Sequence, residues 1–125
     1  MGEFVKMNEK QIDTLALIRD REWMPLPGFP GIEVISLSGN FDETAKTGRR
    51  TRLVRLGPGV RTEKPLIHDY HEEAMLVSGD VYGVEGGTTT GMFTEFAYVH
   101  RPPGTWHGPI ASNGGCILME IQYYA

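Results

Sequence analysis

The stretch Leu66-Ile67-His68-Asp69-Tyr70-His71-Glu72-Glu73-Ala74-Met75-Leu76-Val77-Ser78-Gly79 decides how the rest of the chain is read. His68, His71, Glu72 and Glu73 fall within six residues, ahead of an apolar run that closes at Gly79-Asp80. A second phrase, Arg101-Pro102-Pro103-Gly104-Thr105-Trp106-His107-Gly108-Pro109, carries His107, so three of the four histidines lie in two short segments. Both segments are flanked by strand-like sequence. Neutral imidazole and carboxylate are ligand types common to Fe, Zn, Mn, Ni and Cu sites. Strands of a barrel gather such groups when they point inward. The pattern predicts a divalent-metal site on a β scaffold.

Outward from that stretch, the turn and strand signals are dense. Sixteen Gly and eight Pro in 125 residues require many turns, hence many short strands. Ile32 to Leu37, Thr51 to Leu56, Met75 to Ser78, Val81 to Val84, Phe93 to His100 and Cys116 to Tyr124 read as strands, each bounded by turn residues. Val81 to Val84 is expected to pair with Met75 to Ser78. Asp42 to Gly48 reads as a loop. Three prolines within Pro25 to Pro30 make an irregular connector, pinned by Trp23 and Phe29. Ahead of it, residues 1–22 form an arm, either irregular or a short helix, with Asn8 and Gln11 resembling a capping box. Residues 23–125 form one all-β domain, a sandwich or barrel.

Composition narrows the function classes. A hydrophobic content of 40% and a charged content of 22% are those of a globular chain. A net charge of −4 and no basic track argue against nucleic-acid binding. The one basic cluster, Arg49, Arg50, Arg52 and Arg55, reads as solvated strand edges, with a small anionic ligand as the alternative. No apolar run reaches the ~18 residues of a membrane span, and the charged N-terminus lacks a signal-peptide core, so a cytoplasmic protein is expected. The single cysteine, Cys116, leaves no intramolecular disulfide and reads as a buried hydrophobe.

The two phrases together resemble a small single-domain cupin of the RmlC-like type. Gly59 precedes the histidine segment, Glu72 is followed by six residues and then Gly79, and Pro102-Pro103-Gly104-Thr105-Trp106-His107 resembles the second motif. Trp23 with its prolines, Leu53-Val54-Arg55, Gly57-Pro58-Gly59, Gly79-Asp80 and Gly114-Gly115-Cys116 resemble the subgroup of anti-sigma-factor cupin domains. The resemblance covers residues 23 to 124. It implies a cupin jelly-roll barrel, or double-stranded β-helix, of two antiparallel sheets, and a homodimer. The chain departs from the family at three positions: Leu66 stands where the first metal-binding histidine is expected, Ala111 replaces the Asn that often closes the second motif, and Phe96 replaces a Gly.

Two ligand sets follow from the resemblance. His68, Glu72 and His107 make a two-His, one-carboxylate face of the non-haem Fe(II) type. Alternatively, His71 swings in as a third imidazole, giving a set that also suits Zn, Mn or Ni. A register using Glu73 as ligand is a third arrangement. The bland reading is that His71, Glu72 and Glu73 are solvated groups in a turn and that no metal binds. Glu73 and Tyr70 are candidate catalytic proton-transfer groups. Trp106 is expected to shield His107, and Tyr70, Tyr82, Tyr98, Trp106 and Tyr123 to line a small-molecule pocket. Glu120 and Gln122 face either that pocket or solvent. The expected function is a metal-dependent enzyme of dioxygenase, cyclase or lyase type acting on a small oxygenated compound. The alternative is a small-molecule-sensing or metal-sensing regulatory cupin without catalysis.

Overall fold

The computed structural model describes residues 13–85 and 88–124. Asn8 and Gln11 lie outside the described residues. The helix that is described, α1 (Thr14–Asp20), is capped by Asp13, whose carboxylate accepts hydrogen bonds from the backbone N–H groups of Leu15 and Ala16. Two turns are too few for a helix to persist alone, so its stability comes from packing. Leu17 and Ile18 lie against buried Trp23, Ile35 and Leu53, and the Trp23 indole N–H donates to the Ile18 carbonyl at 3.2 Å. The Arg55 guanidinium covers the Trp23 ring at 4.2 Å from its centroid. Trp23 therefore pins α1 to the outer face of the sheet.

The strands are β1 (Met24–Pro25), β2 (Ile32–Gly39), β3 (Arg49–Leu56), β4 (Leu66–Ile67), β5 (His71–Gly79) and β6 (Val81–Glu85). They continue as β7 (Thr88–Phe93), β8 (Tyr98–Arg101), β9 (Trp106–His107), β10 (Ile110–Ala111) and β11 (Cys116–Tyr123). A six-stranded sheet runs β1-β2-β3-β11-β5-β8, a three-stranded sheet runs β10-β6-β7, and β4 pairs with β9. Every pairing is antiparallel. Between the large sheet and the three-stranded one lies the main core. Ile32, Val54, Leu56, Leu76 and Leu118 of the former pack with Val81 and Ile110 of the latter. The fold is the predicted jelly roll. No helix among the described residues is long and apolar enough to cross a membrane.

Strand alternation sets what faces inward. Along β5, Glu72, Ala74 and Leu76 are buried, while His71, Glu73, Met75 and Val77 take the other face. Along β3, Val54 and Leu56 are core, which puts Arg52 and Arg50 on the same inner face. The expectation of solvated strand edges for these arginines is therefore corrected. β3 is central, flanked by β2 and β11, and Arg50 and Arg52 point into the barrel.

Two strand expectations also change. Val81–Glu85 does not pair with β5 but with β7 and β10. Gly79 turns the chain out of the first sheet at φ +89, in a place where a Cβ would sit 2.1 Å from the Gly115 carbonyl oxygen. Asp80 then fixes the corner, accepting from the backbone N–H groups of Asn113 and Gly114 at 2.9 Å each. The expected strand from Phe93 to His100 is broken, because residues 94–97 form a turn between β7 and β8.

Phe96 sits in that turn at φ +68 and 72% exposed. The position where the resemblance expects Gly keeps a left-handed backbone although its residue is Phe. Such a conformation costs roughly 1–3 kcal/mol for a bulky residue, and the exposed ring recovers little by burial. Phe96→Gly is expected to stabilise the fold by roughly 1 kcal/mol, after the extra unfolded-state entropy of Gly is subtracted. A denaturant melt checks this, and a loss of stability would contradict it.

Candidate metal centre in the barrel cavity

The inner face of the large sheet is laid out in rows by its register. Arg50 on β3 opposes Gln122 on β11, Gln122 opposes Glu72 on β5, and Glu72 opposes Arg101 on β8. The side chains of this row are linked from end to end. Arg50 Nε donates to Gln122 Oε1 at 2.6 Å, Gln122 Nε2 donates to Glu72 Oε1 at 2.7 Å, and Arg101 Nη1 donates to Glu72 Oε2 at 3.2 Å. The next row pairs Arg52 with Glu120 at 2.9 Å. Beyond it, Val54 opposes Leu118 and the face becomes apolar. The barrel interior thus grades from charged at one end to hydrocarbon at the other.

The histidines come from the short pair β4–β9. Leu66 pairs with His107, and the chain then carries His68 two residues beyond. Gly104 N–H donates to the His68 carbonyl at 2.8 Å, tying the His68 segment to the Pro-Gly turn that leads into β9. The His68 and His107 rings lie 4.8 Å apart between centroids, and His68 stacks on Tyr70 at 4.5 Å. One ligand atom from each of His68, Glu72 and His107 can be chosen so that all lie within 4.8 Å of one another. Glu72 is 3% exposed. His107 Nε2 is 3.8 Å from Glu72 Oε2 and is buried with no hydrogen-bond partner among the described residues.

Both imidazoles are held neutral. Burial, outweighing the opposing pull of Glu72, lowers the His107 pKa to about 4 and also lowers that of His68. A neutral ring offers a lone pair where a charged one does not.

The structure does not bring His71 to this group. It projects from the outer face of β5, stacked on Tyr123 at 4.9 Å and 3.1 Å from His100 Nε2 through its Nδ1. The model in which His71 swings in to replace the ligand missing at Leu66 is corrected: residues 71 and 72 of one strand face opposite ways. Glu73 follows His71 outward and accepts a hydrogen bond from the Tyr98 hydroxyl. This outer position removes Glu73 both as a ligand and as a proton-transfer group at the cavity. Leu66 forms part of the cavity wall instead.

Tyr70 does line the cavity. It is buried, with its ring edge-on to Phe41 and Tyr124, and burial raises its pKa, so the phenol is a hydrogen-bond donor at neutral pH. Among the other aromatics expected there, Tyr98 and Tyr123 lie on the outer face with Glu73. Tyr82 is not among the lining residues, and Trp106 is 65% exposed and does not cover His107. Glu120 and Gln122 face the cavity. Sequence reasoning missed Arg50, Arg52 and Arg101 as cavity residues. The signal that could have found the first two is their even spacing from Val54 and Leu56.

The cavity measures about 530 Å³. That is the size of a small-molecule site with an apolar wall and a few polar groups. An all-β jelly roll with histidines and a glutamate converging inside its barrel defines a cupin. The chain belongs to the ChrR cupin-like family, whose model matches residues 11–123. No curated protein matches it in sequence.

Solved structures share the fold at low identity. An RmlC-like cupin from Shewanella frigidimarina superposes with a TM-score of 0.62 at 18% identity, covering 86% of each chain. An acetylacetone dioxygenase from Acinetobacter johnsonii gives 0.66 at 18% identity, covering 92% of this chain and 74% of that one. The polyketide cyclase RemF from Streptomyces resistomycificus gives 0.64 at 16%, covering 94% and 80%.

Proposed function

We propose that this cupin is a metal-dependent enzyme acting on a small oxygenated organic compound, with His68, Glu72 and His107 holding one divalent metal. The observation that carries this reading is the buried, unpartnered Nε2 of His107, facing Glu72 and His68 across the cavity. A buried polar atom without a partner costs about 1–3 kcal/mol, and a cation there would remove the deficit. Two imidazoles and one carboxylate are the donor set associated with non-haem Fe(II), which makes iron the first metal to test, with Zn, Mn and Ni next. The similarity to a dioxygenase and a cyclase suggests the reaction classes to try first.

When bound, such a metal supplies Lewis acidity or activates O2. The chain's own groups prepare the site for it. Gln122 takes one oxygen of Glu72, and Arg101 takes one lone pair of the other while leaving that oxygen turned toward His107. Tyr70 can donate its phenolic proton in a hydrogen bond to an oxygen of the compound bound beside His68. The apolar rows beyond Val54 and Leu118 exclude water from the far end of the compound.

Metal analysis after reconstitution with Fe(II), followed by O2 uptake against a panel of diketones and catechols, tests the proposal. One equivalent of metal and turnover of a panel member are expected. Absence of stoichiometric metal would overturn it, and metal with no turnover but tight binding of a metabolite would favour a sensor.

A further inference from the structure

The same cavity carries a second polar feature that the metal-binding residues do not use. Arg52 is only 13% exposed, and its one hydrogen bond among the described residues runs from Nε to Glu120. The terminal N–H groups of the guanidinium make no hydrogen bond to the described residues, although the side chain lines the cavity. Arg50 lies on the same face one row away, with its Nε given to Gln122 and a looser 3.6 Å contact to Glu43. The Tyr70 hydroxyl, likewise without a hydrogen-bond partner among the described residues, belongs to a side chain lining the same cavity as both guanidinium groups. Donors are thus in surplus on this wall.

Charge and surface shape the occupant further. Arg50, Arg52, Lys64 and Arg101 line the cavity against Glu43, Glu72 and Glu120, leaving a surplus of one positive charge for a ligand to neutralise. A planar guanidinium fork matches a carboxylate with two parallel hydrogen bonds. The neighbouring rows, Val54 with Leu118 and then Leu56 and Leu76, are hydrocarbon and can take only an apolar body.

We infer that the cavity recognises a small organic monocarboxylate, its carboxylate held by Arg52 with Arg50 and Tyr70 beside it and its apolar body lying against Val54, Leu56, Leu76 and Leu118. This deepens the metal-centre reading and rests on it only for where the reacting end of the compound lies. Recognition of the carboxylate itself does not need the metal.

The test is calorimetric binding of cinnamate and octanoate against cinnamyl alcohol, 1-octanol and phenyl phosphate, on metal-free and Fe(II)-loaded protein. Both carboxylates should bind at least about tenfold tighter than the matched alcohols, and cinnamate tighter than phenyl phosphate, on both forms. Arg52→Gln should erase the preference over the alcohol while retaining the apolar affinity. Arg52→Gln/Glu120→Gln does the same without leaving Glu120 unpaired, should the single change weaken the fold.

Equal binding of acid and alcohol, tighter binding of the phosphate, an undiminished preference in both variants, or no binding of any probe would each overturn the inference. A carboxylate preference in a protein that takes up no metal would uphold it and sink the metal reading alone. Metal uptake without that preference would do the reverse.

Discussion

If the proposed centre takes up metal, His107→Ala is expected to abolish that uptake, while His71→Ala retains it. The two histidines are near neighbours of Glu72, one in space and one in sequence, and the fold separates them completely. His107 Nε2 is buried 3.8 Å from the Glu72 carboxylate, whereas His71 stacks on Tyr123 outside the sheet. Loss of an outer residue that only orients a ligand already weakens metal binding by about 10–100-fold, so removal of a ligand should exceed that. Titration of metal-free protein with Fe(II) or Zn, read by elemental analysis of the dialysed complex, checks both. Equal metal content in His107→Ala and wild type would refute the site, and equal loss in His71→Ala would refute the strand register that excludes it.

Glu72→Ala is expected to cost about 3 kcal/mol of stability, the range found when one partner of a buried charge pair is removed. The carboxylate is the acceptor for both Gln122 and Arg101, and deleting it strands a half-buried guanidinium and a buried amide. For a domain of this size the thermal midpoint should fall by on the order of 10 °C. Glu72→Gln, which keeps the shape and can still meet Gln122, should lose about 1 kcal/mol yet bind metal no better than Glu72→Ala. A thermal melt and a metal titration on the pair separate the structural role of the carboxylate from its ligand role. If Glu72→Ala melts with wild type, the row across β3, β11, β5 and β8 is not the support argued for it.

Much of the frame was legible along the chain. Gly79-Asp80 marked the end of a strand, and the corner there does need Gly79, because a Cβ would meet the Gly115 backbone. The alternation in β11 and the Pro-Gly turn before His107 were readable as local patterns. The N-terminus of β5 was not. Residues 68 to 73 are almost all polar, so no apolar rhythm shows where the strand starts, and His71 read as a turn residue rather than the outer half of a strand pair. Arg50 and Arg52 were misread for a related reason, since arginines in a strand usually mark a solvent face. Here, the inner face carries them because Gln122 and Glu120 oppose them from β11.

By itself the sequence determined an all-β sandwich or barrel, its turns and the presence of His68, Glu72 and His107 as ligand-type residues in two phrases, and the resemblance to cupins narrowed that class to a jelly roll. Spacing and turn chemistry are local properties, and local pattern is enough to specify them. Only the tertiary structure decided which histidines meet Glu72, that Glu73 faces outward, and that the arginines line a cavity. Those outcomes depend on strand parity and cross-strand register. Register is set by burial of the shared inner face, and that face does not exist until the sheets have packed.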